Sequence, residues 1–459
     1  MKFIKLNHSL LVVSLILFFN ISAQDKLEYE KSLNPLLKGE EYQNEGEFEK
    51  ALEQFNKVYE GDSLFFRYAL HMKMASLVQL ERYEEVKEIG DKYWYFRHEL
   101  PTEFYLSYGT ALDKLEKYEQ AQEMYTSILE EFPINHSLWY NYGVSLSLSG
   151  KHQEAYETFK KTVAINPFYD RVHLALANMA VNEQQTTKAL MALGMYMWLS
   201  VDKRNNFQQL RYGNYLASSK YWTADDFEGS NNVDLGSNSD YSSIDQIVHN
   251  YVGLRDKYKT PSKLDFAFIN QCHIIFTQLE GVNGDEDDFW YNTYAEFFGK
   301  MLEEKQFAGY SYLICNYVEN EKTAKTVKKK KKDALEFFSW GKTNLDEIKR
   351  MVNLDFIGFG KTKVTRNEDS HLIEIVGDYD LNKSTGNLIG DITVISENGR
   401  KTAIGTYNKN GNKDGEWKYY YSNGYLREIE VLDDGAPVDT NFSYYDNGLL
   451  RLKIPYKDG

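Results

Sequence analysis

The sequence predicts a mainly α chain that ends in a small β module: an N-terminal α-solenoid, a helical middle region and a C-terminal antiparallel meander of β-repeats. Three observations predict it. Tyr105, Tyr108, Gly109, Leu112, Ala121, Tyr125 and Pro133 recur 34 residues later as Trp139, Tyr142, Gly143, Leu146, Ala155, Phe159 and Pro167. The small residues Ala51, Val86, Ala121, Ala155 and Ala189 follow one another at intervals of 35, 35, 34 and 34. Past about Asp355 the helical spacing gives way to short alternating runs closed by Gly and Asn, which favour turns.

The first segment, residues 1–23, reads as a secretory signal peptide. Lys2 and Lys5 supply a positive start, Leu10 to Phe19 an apolar core, and Ala23 a small residue before Gln24. The apolar run is shorter than the roughly 20 residues a membrane-spanning helix needs. An exported mature chain is therefore expected, periplasmic or extracellular, with a Gram-negative envelope as its setting.

Residues 32–203 divide into five helical hairpins, starting near Ser32, Arg67, Thr102, His136 and Asp170. Gly109, Gly143 and Ala177 let each first helix approach its second, and Ala121, Ala155 and Ala189 do the same from the other side. Pro133 and Pro167 end one unit and begin the next, because proline cannot continue a helix. A helix–turn–helix unit of about 34 residues, with this pattern of aromatic, Gly, Ala and Pro, resembles the tetratricopeptide repeat. The resemblance implies a solenoid whose first-helix faces bind a protein or peptide. By position those faces carry Glu103, Leu106 and Thr110 in unit three, Tyr140, Asn141 and Val144 in unit four, and Arg171, Leu174 and Asn178 in unit five. Relatives that clamp a C-terminal carboxylate place Lys and Asn at inner positions held here by Leu106, Thr110, Tyr140 and Val144. An internal segment of a partner is the better fit.

Residues 204–243 read as a capping helix (Phe207 to Trp222) followed by a Ser-, Asn- and Gly-rich linker. Residues 244–354 are helical by spacing, for example Ile244, Ile247, Val248, Tyr251 and Leu254, but match no family pattern. Residues 355–459 are β-rich. Gly390 to Lys401 is followed 25 residues later by Gly415 to Leu426, and Asn447-Gly448 follows Asn423-Gly424 by 24. Asn-Gly between apolar runs signals a hairpin. The string Gly415-Glu416-Trp417-Lys418-Tyr419-Tyr420-Tyr421-Ser422-Asn423-Gly424 resembles the variant MORN repeat, from about residue 377 onward. Trp417, Tyr419 and Tyr421 alternate along one strand, so they are expected on one face, as a β-repeat surface.

Charge and cysteine content narrow the function. The formal charge is −15. That disfavours nucleic acid, whose phosphates need a basic face. Cys272 and Cys315 lie in apolar helical runs, and the sequence leaves open whether they are buried thiols or one disulfide. Gly360-Lys361-Thr362 lacks the earlier glycine of a phosphate loop, since Asp355 stands there. No His or Cys spacing fits a metal site. Asp285 to Asp288 lacks the alternating ligands of a calcium loop and reads as a solvated acidic turn. Lys322 to Asp333 is the one basic run, a solvated helix end or a contact for an acidic surface.

The expected function is that of a scaffold or adaptor rather than an enzyme, with a protein or peptide partner, no cofactor and no metal. Two rivals stand beside it: an envelope protein that self-associates through its C-terminal β-edge, and an enzyme hidden in the middle helices.

Overall fold

The computed structural model describes residues 23–60, 63–95, 100–200, 203–218, 230–236, 241–255, 257–282, 284, 288–316, 318, 320–348, 351–353, 361–367, 372–381, 388–395, 401–421, 424–445 and 448–456. The signal-peptide reading of residues 1–22 therefore lies outside the described residues, as do Asp285 to Asp287, Gly360, Asn423 and Asn447. The chain divides into two compact units, residues 1–128 and 129–459, each described by itself.

In the first unit, α1 (Ala23–Asn44), α2 (Phe48–Phe55), α3 (Ser63–Gln79), α4 (Tyr83–Tyr93) and α5 (Thr102–Lys114) succeed one another, and α6 (Tyr118–Glu131) runs across the division. Each small residue of the period is fully buried: Ala51, Val86 and Ala121 are all 0 % exposed. The close approach has a visible cause in unit three. A Cβ added at Gly109 would strike the Tyr125 ring, which lies 16 positions on and comes from the second helix.

The second unit continues with α7 (His136–Leu148), α8 (His152–Ile165), α9 (Asp170–Asn182), α10 (Thr186–Leu199) and α11 (Lys203–Ser218). Helices α5, α7 and α9 begin at Thr102, His136 and Asp170, the starts read from the repeat. Gly143 meets Phe159 as Gly109 meets Tyr125. Position four of units four and five makes the recurrence chemical. Trp139 Nε1 donates to the Pro133 carbonyl at 2.8 Å, and 34 residues later His173 Nε2 bonds the Pro167 carbonyl at 2.8 Å. A carbonyl only accepts, so His173 carries its proton on Nε2 there.

The middle region is α12 (Ser242–His249), α13 (Ala267–Gln278), a π-helical turn (Tyr291–Ala295), α14 (Glu296–Glu303), α15 (Phe307–Ile314), α16 (Glu321–Lys329) and α17 (Lys331–Ile348). Its apolar residues join those of units four and five in one core running from Leu146 to Leu345. Helix α10 lies at its centre, with every residue from Thr186 to Trp198 buried. Stacked rings fill the space: Phe276 on Phe298 at 4.0 Å and Trp198 on Phe297 at 5.7 Å. Cys272 and Cys315 are both buried free thiols, and burial pushes both thiols up. Of the two readings the sequence left open, the unbonded one holds. His249 and His273 serve as ordinary helix residues, bonded to Thr186 Oγ1 (2.8 Å) and the Tyr258 hydroxyl (2.6 Å).

Strands follow directly: β1 (Met351–Asn353), β2 (Lys361–Asn367), β3 (Leu372–Leu381), β4 (Leu388–Ile395), β5 (Lys401–Tyr407), β6 (Lys413–Tyr420), β7 (Leu426–Asp433), β8 (Ala436–Pro437), β9 (Asn441–Tyr444) and β10 (Leu450–Ile454). They form one antiparallel meander in chain order, with the short β8 pairing β7 beside the main path. Gly424 and Gly448 turn with φ of +86° and +84°, the conformation that Asn-Gly turns require.

Candidate partner-binding faces

Three of the first-helix positions in the second unit pack as well as face outward. Tyr140, Val144 and Leu174 are half-buried against the core. Tyr140 sits edge-on to Tyr169, with centroids 5.2 Å apart, and beside Phe159 at 5.8 Å. Burial pushes its hydroxyl up to about 12. Asn141 is half-buried, whereas Arg171 and Asn178 are exposed. Arg171 lies against the Tyr169 hydroxyl and works against the rise that burial imposes on it. The His136 ring also lies edge-on to Tyr169, with centroids 4.8 Å apart. The structure thus gathers Tyr140 and Arg171 around Tyr169. Sequence reasoning misses Tyr169 because it considers only positions inside the first helices, and misses His136 because that residue opens its helix, before the inner positions of the repeat. Tyr169 lies in the turn just before α9. The signal available was an aromatic one residue before a helix whose second position is Arg.

In the first unit the three positions behave differently. Glu103 is exposed, and Leu106 and Thr110 are half-buried. The Thr110 hydroxyl donates to the Leu106 carbonyl at 2.7 Å, so its donor is spent within its own helix.

The β-repeat residues require one correction. Trp417 is not part of a surface: it is 1 % exposed and forms the sheet's core with Ile392, Ala403 and Leu432. The cause is Gly405 on the neighbouring strand, whose missing side chain leaves the space the indole fills. The Trp417 indole N–H donates to the Thr406 carbonyl at 3.1 Å. Tyr419 does share the face, its ring 6.2 Å from that of Trp417, and its hydroxyl bonds Glu430 Oε2 at 2.7 Å. Tyr421 lies beyond a register shift in the β6–β7 pairing and donates to the Tyr444 carbonyl at 2.8 Å.

The basic run is helical, and its lysines are exposed while Val327 is buried. Asn320 caps α16 by accepting the Thr323 N–H at 3.0 Å, and Lys325, Lys330 and Lys332 pair with Glu321, Asp333 and Glu336. Among the described residues, no group of three or more His, Cys, Asp or Glu could hold a metal ion. No described helix is long and apolar enough to cross a membrane.

Comparison with known proteins agrees with this geometry over a limited span. No curated protein matches the chain. The family model described as Tetratricopeptide repeat matches residues 102–135 and 136–169, the third and fourth units as read from the sequence. Residues 102–169 are thus two consecutive tetratricopeptide repeats, the architecture of a protein-binding scaffold.

Proposed function

We propose that the chain is an exported adaptor that captures a segment of a protein partner on the first-helix faces of its repeats. The observation that carries this reading is the Tyr140–Tyr169–Arg171 cluster: two half-buried tyrosines beside an exposed guanidinium, with Leu174 packed against the same core. Tyr and Arg are the residue types that dominate binding energy at interfaces, because they offer large contact area together with directed hydrogen bonds. Asn141 and Asn178 add adaptable amides to that face, and Glu103, Leu106 and Thr110 supply a further, mixed face in the first unit. The acidic chain supports a protein partner over a nucleic acid. No catalytic role is assigned. The test is a pull-down of the mature chain from its own envelope fraction. Asn141→Glu combined with Arg171→Glu is expected to lose the captured partner at unchanged helicity; undiminished capture would place the binding site elsewhere.

One observation favours a second reading, self-association through the MORN-like sheet. The outer strand β10 is exposed along its whole length, Leu450, Leu452 and Ile454 included. Sedimentation of the mature chain, with and without residues 377–459, separates the two readings.

A further inference from the structure

The composition of Ser230 to Gly236 predicts a linker. Its surroundings do not. Val233 and Leu235 are 6 % and 1 % exposed, whereas Ser230, Asn231, Asn232, Asp234 and Gly236 face solvent. Val233 and Leu235 anchor in the core, and the segment's polar contacts run mostly through its backbone, to side chains at the starts of α8 and α10, to Glu183 at the end of α9 and to Trp290. Gln153 grips Asp234 on both sides: its amide donates to the Asp234 carbonyl at 3.1 Å and its oxygen accepts the Asp234 N–H at 2.8 Å. The Leu235 carbonyl accepts from the Tyr156 hydroxyl at 2.6 Å and from the Trp290 indole at 2.9 Å. Lys188 donates to the Gly236 carbonyl at 3.0 Å. Glu183 accepts the Asn231 N–H at 2.9 Å and the Ser230 hydroxyl at 2.7 Å.

This is how a protein reads a short peptide. Alternate apolar residues fill pockets, and fixed polar side chains satisfy the main chain. Two backbone positions add selectivity. Asn232 and Gly236 both have positive φ, +53° and +47°, a conformation left mainly to Asn and Gly.

We propose that the groove formed by Gln153, Tyr156, Glu183, Lys188 and Trp290 is a docking site for a partner segment of the pattern Asn/Gly–apolar–X–apolar–Gly, occupied in cis by Ser230 to Gly236. A tethered occupant acts as a high local concentration, so it weakens every competitor that must displace it. The site lies where α8 and α10 begin, α9 ends and the π-helical turn starts. It is separate from the first-helix faces, and its failure would leave the adaptor reading untouched.

The probe is a fluorescent peptide of the sequence Ser230 to Gly236, followed by anisotropy. Val233→Asp with Leu235→Asp in the mature chain releases the cis segment. The peptide is expected to bind this variant at least tenfold more tightly than it binds wild type, and to lose binding when its own leucine is replaced by aspartate. Adding Gln153→Ala and Tyr156→Phe to the released variant should abolish binding. A folded released variant that does not bind the peptide overturns the proposal. Hydrogen exchange on the wild type decides the matter even if the released variant does not fold. A displaceable segment exchanges its Asp234 amide by local opening that is insensitive to low urea. Exchange of that amide only with the amides of α10, and with their urea dependence, overturns the proposal.

Discussion

His173 and Tyr294, 121 residues apart, meet in a buried hydrogen bond of 2.9 Å. His173 uses Nε2 for the Pro167 carbonyl, which leaves Nδ1 to accept the Tyr294 O–H. The bond ties the first helix of unit five to the π-helical turn of the middle region. Tyr294→Phe keeps the ring and removes the donor of this buried bond. The expected loss is about 1–3 kcal/mol in urea unfolding. An unchanged midpoint would mean that water replaces the hydroxyl.

Ala155 is 0 % exposed where the helices of unit four meet. Ala155→Phe adds a ring to a filled space and is expected to cost roughly 1–3 kcal/mol. Because Ala155 belongs to the core that runs on to Leu345, the loss should appear as one shifted transition rather than a separate early one. Calorimetry checks this, and a native-like melting curve would show that the site yields.

Burial holds the Lys188 ammonium down to about 8, against the pull of Asp288, Asp245 and Asp234. Below that pH both folded and unfolded chains carry the proton, and the fold bears the full desolvation cost. Between about 8 and the ordinary lysine value of 10.5, the unfolded chain binds a proton that the folded one releases, so stability rises with pH there. Lys188→Met should be more stable than wild type at pH 7, by at most on the order of 3 kcal/mol. The lost bond to Gly236 offsets part of that gain. The gap should close by about pH 10.5. A gap that does not vary with pH between 7 and 10.5 would show that Lys188 titrates normally.

Gly405→Val would drive a side chain into the Trp417 indole. The sheet has its own small core around Trp417, so near-ultraviolet and tryptophan signals of the module should be lost while helical ellipticity remains. Loss of helix in this variant would show that the two parts fold together.

Cys272 and Cys315 are fully buried and their thiols pushed up. Neither should react with a thiol reagent at pH 8 in the native chain, and both should react in denaturant. Rapid labelling of the native protein would contradict the burial described.

The repeat units were legible because a period repeats its own evidence: Tyr105, Trp139 and His173 stand 34 apart, and the helix starts at Thr102, His136 and Asp170 follow. The middle region was not. Its fold rests on pairings such as His173 with Tyr294 and Tyr156 with Trp290, which lie far apart in sequence and occur once. The segment Ser230 to Gly236 was read as linker because five polar or small residues conceal two anchors. Trp417 was placed on a surface because alternation tells which residues share a face but not which face is covered; that was decided by Gly405, one strand away. Of the binding positions, Arg171 and Tyr140 could be located, but their meeting point at Tyr169 lay in a turn.

The burial of α10 from Thr186 to Trp198 bears on how this array can change over time. Helical repeats multiply by duplication, and a new copy needs a bare helix on which to stack. Here the last second helix has no bare side, since α11, α12, α13, α15 and the π-helical turn are packed around it. A further helical hairpin stacked on α10 would have to displace α11, α12 and α13. The array is closed to growth at that end.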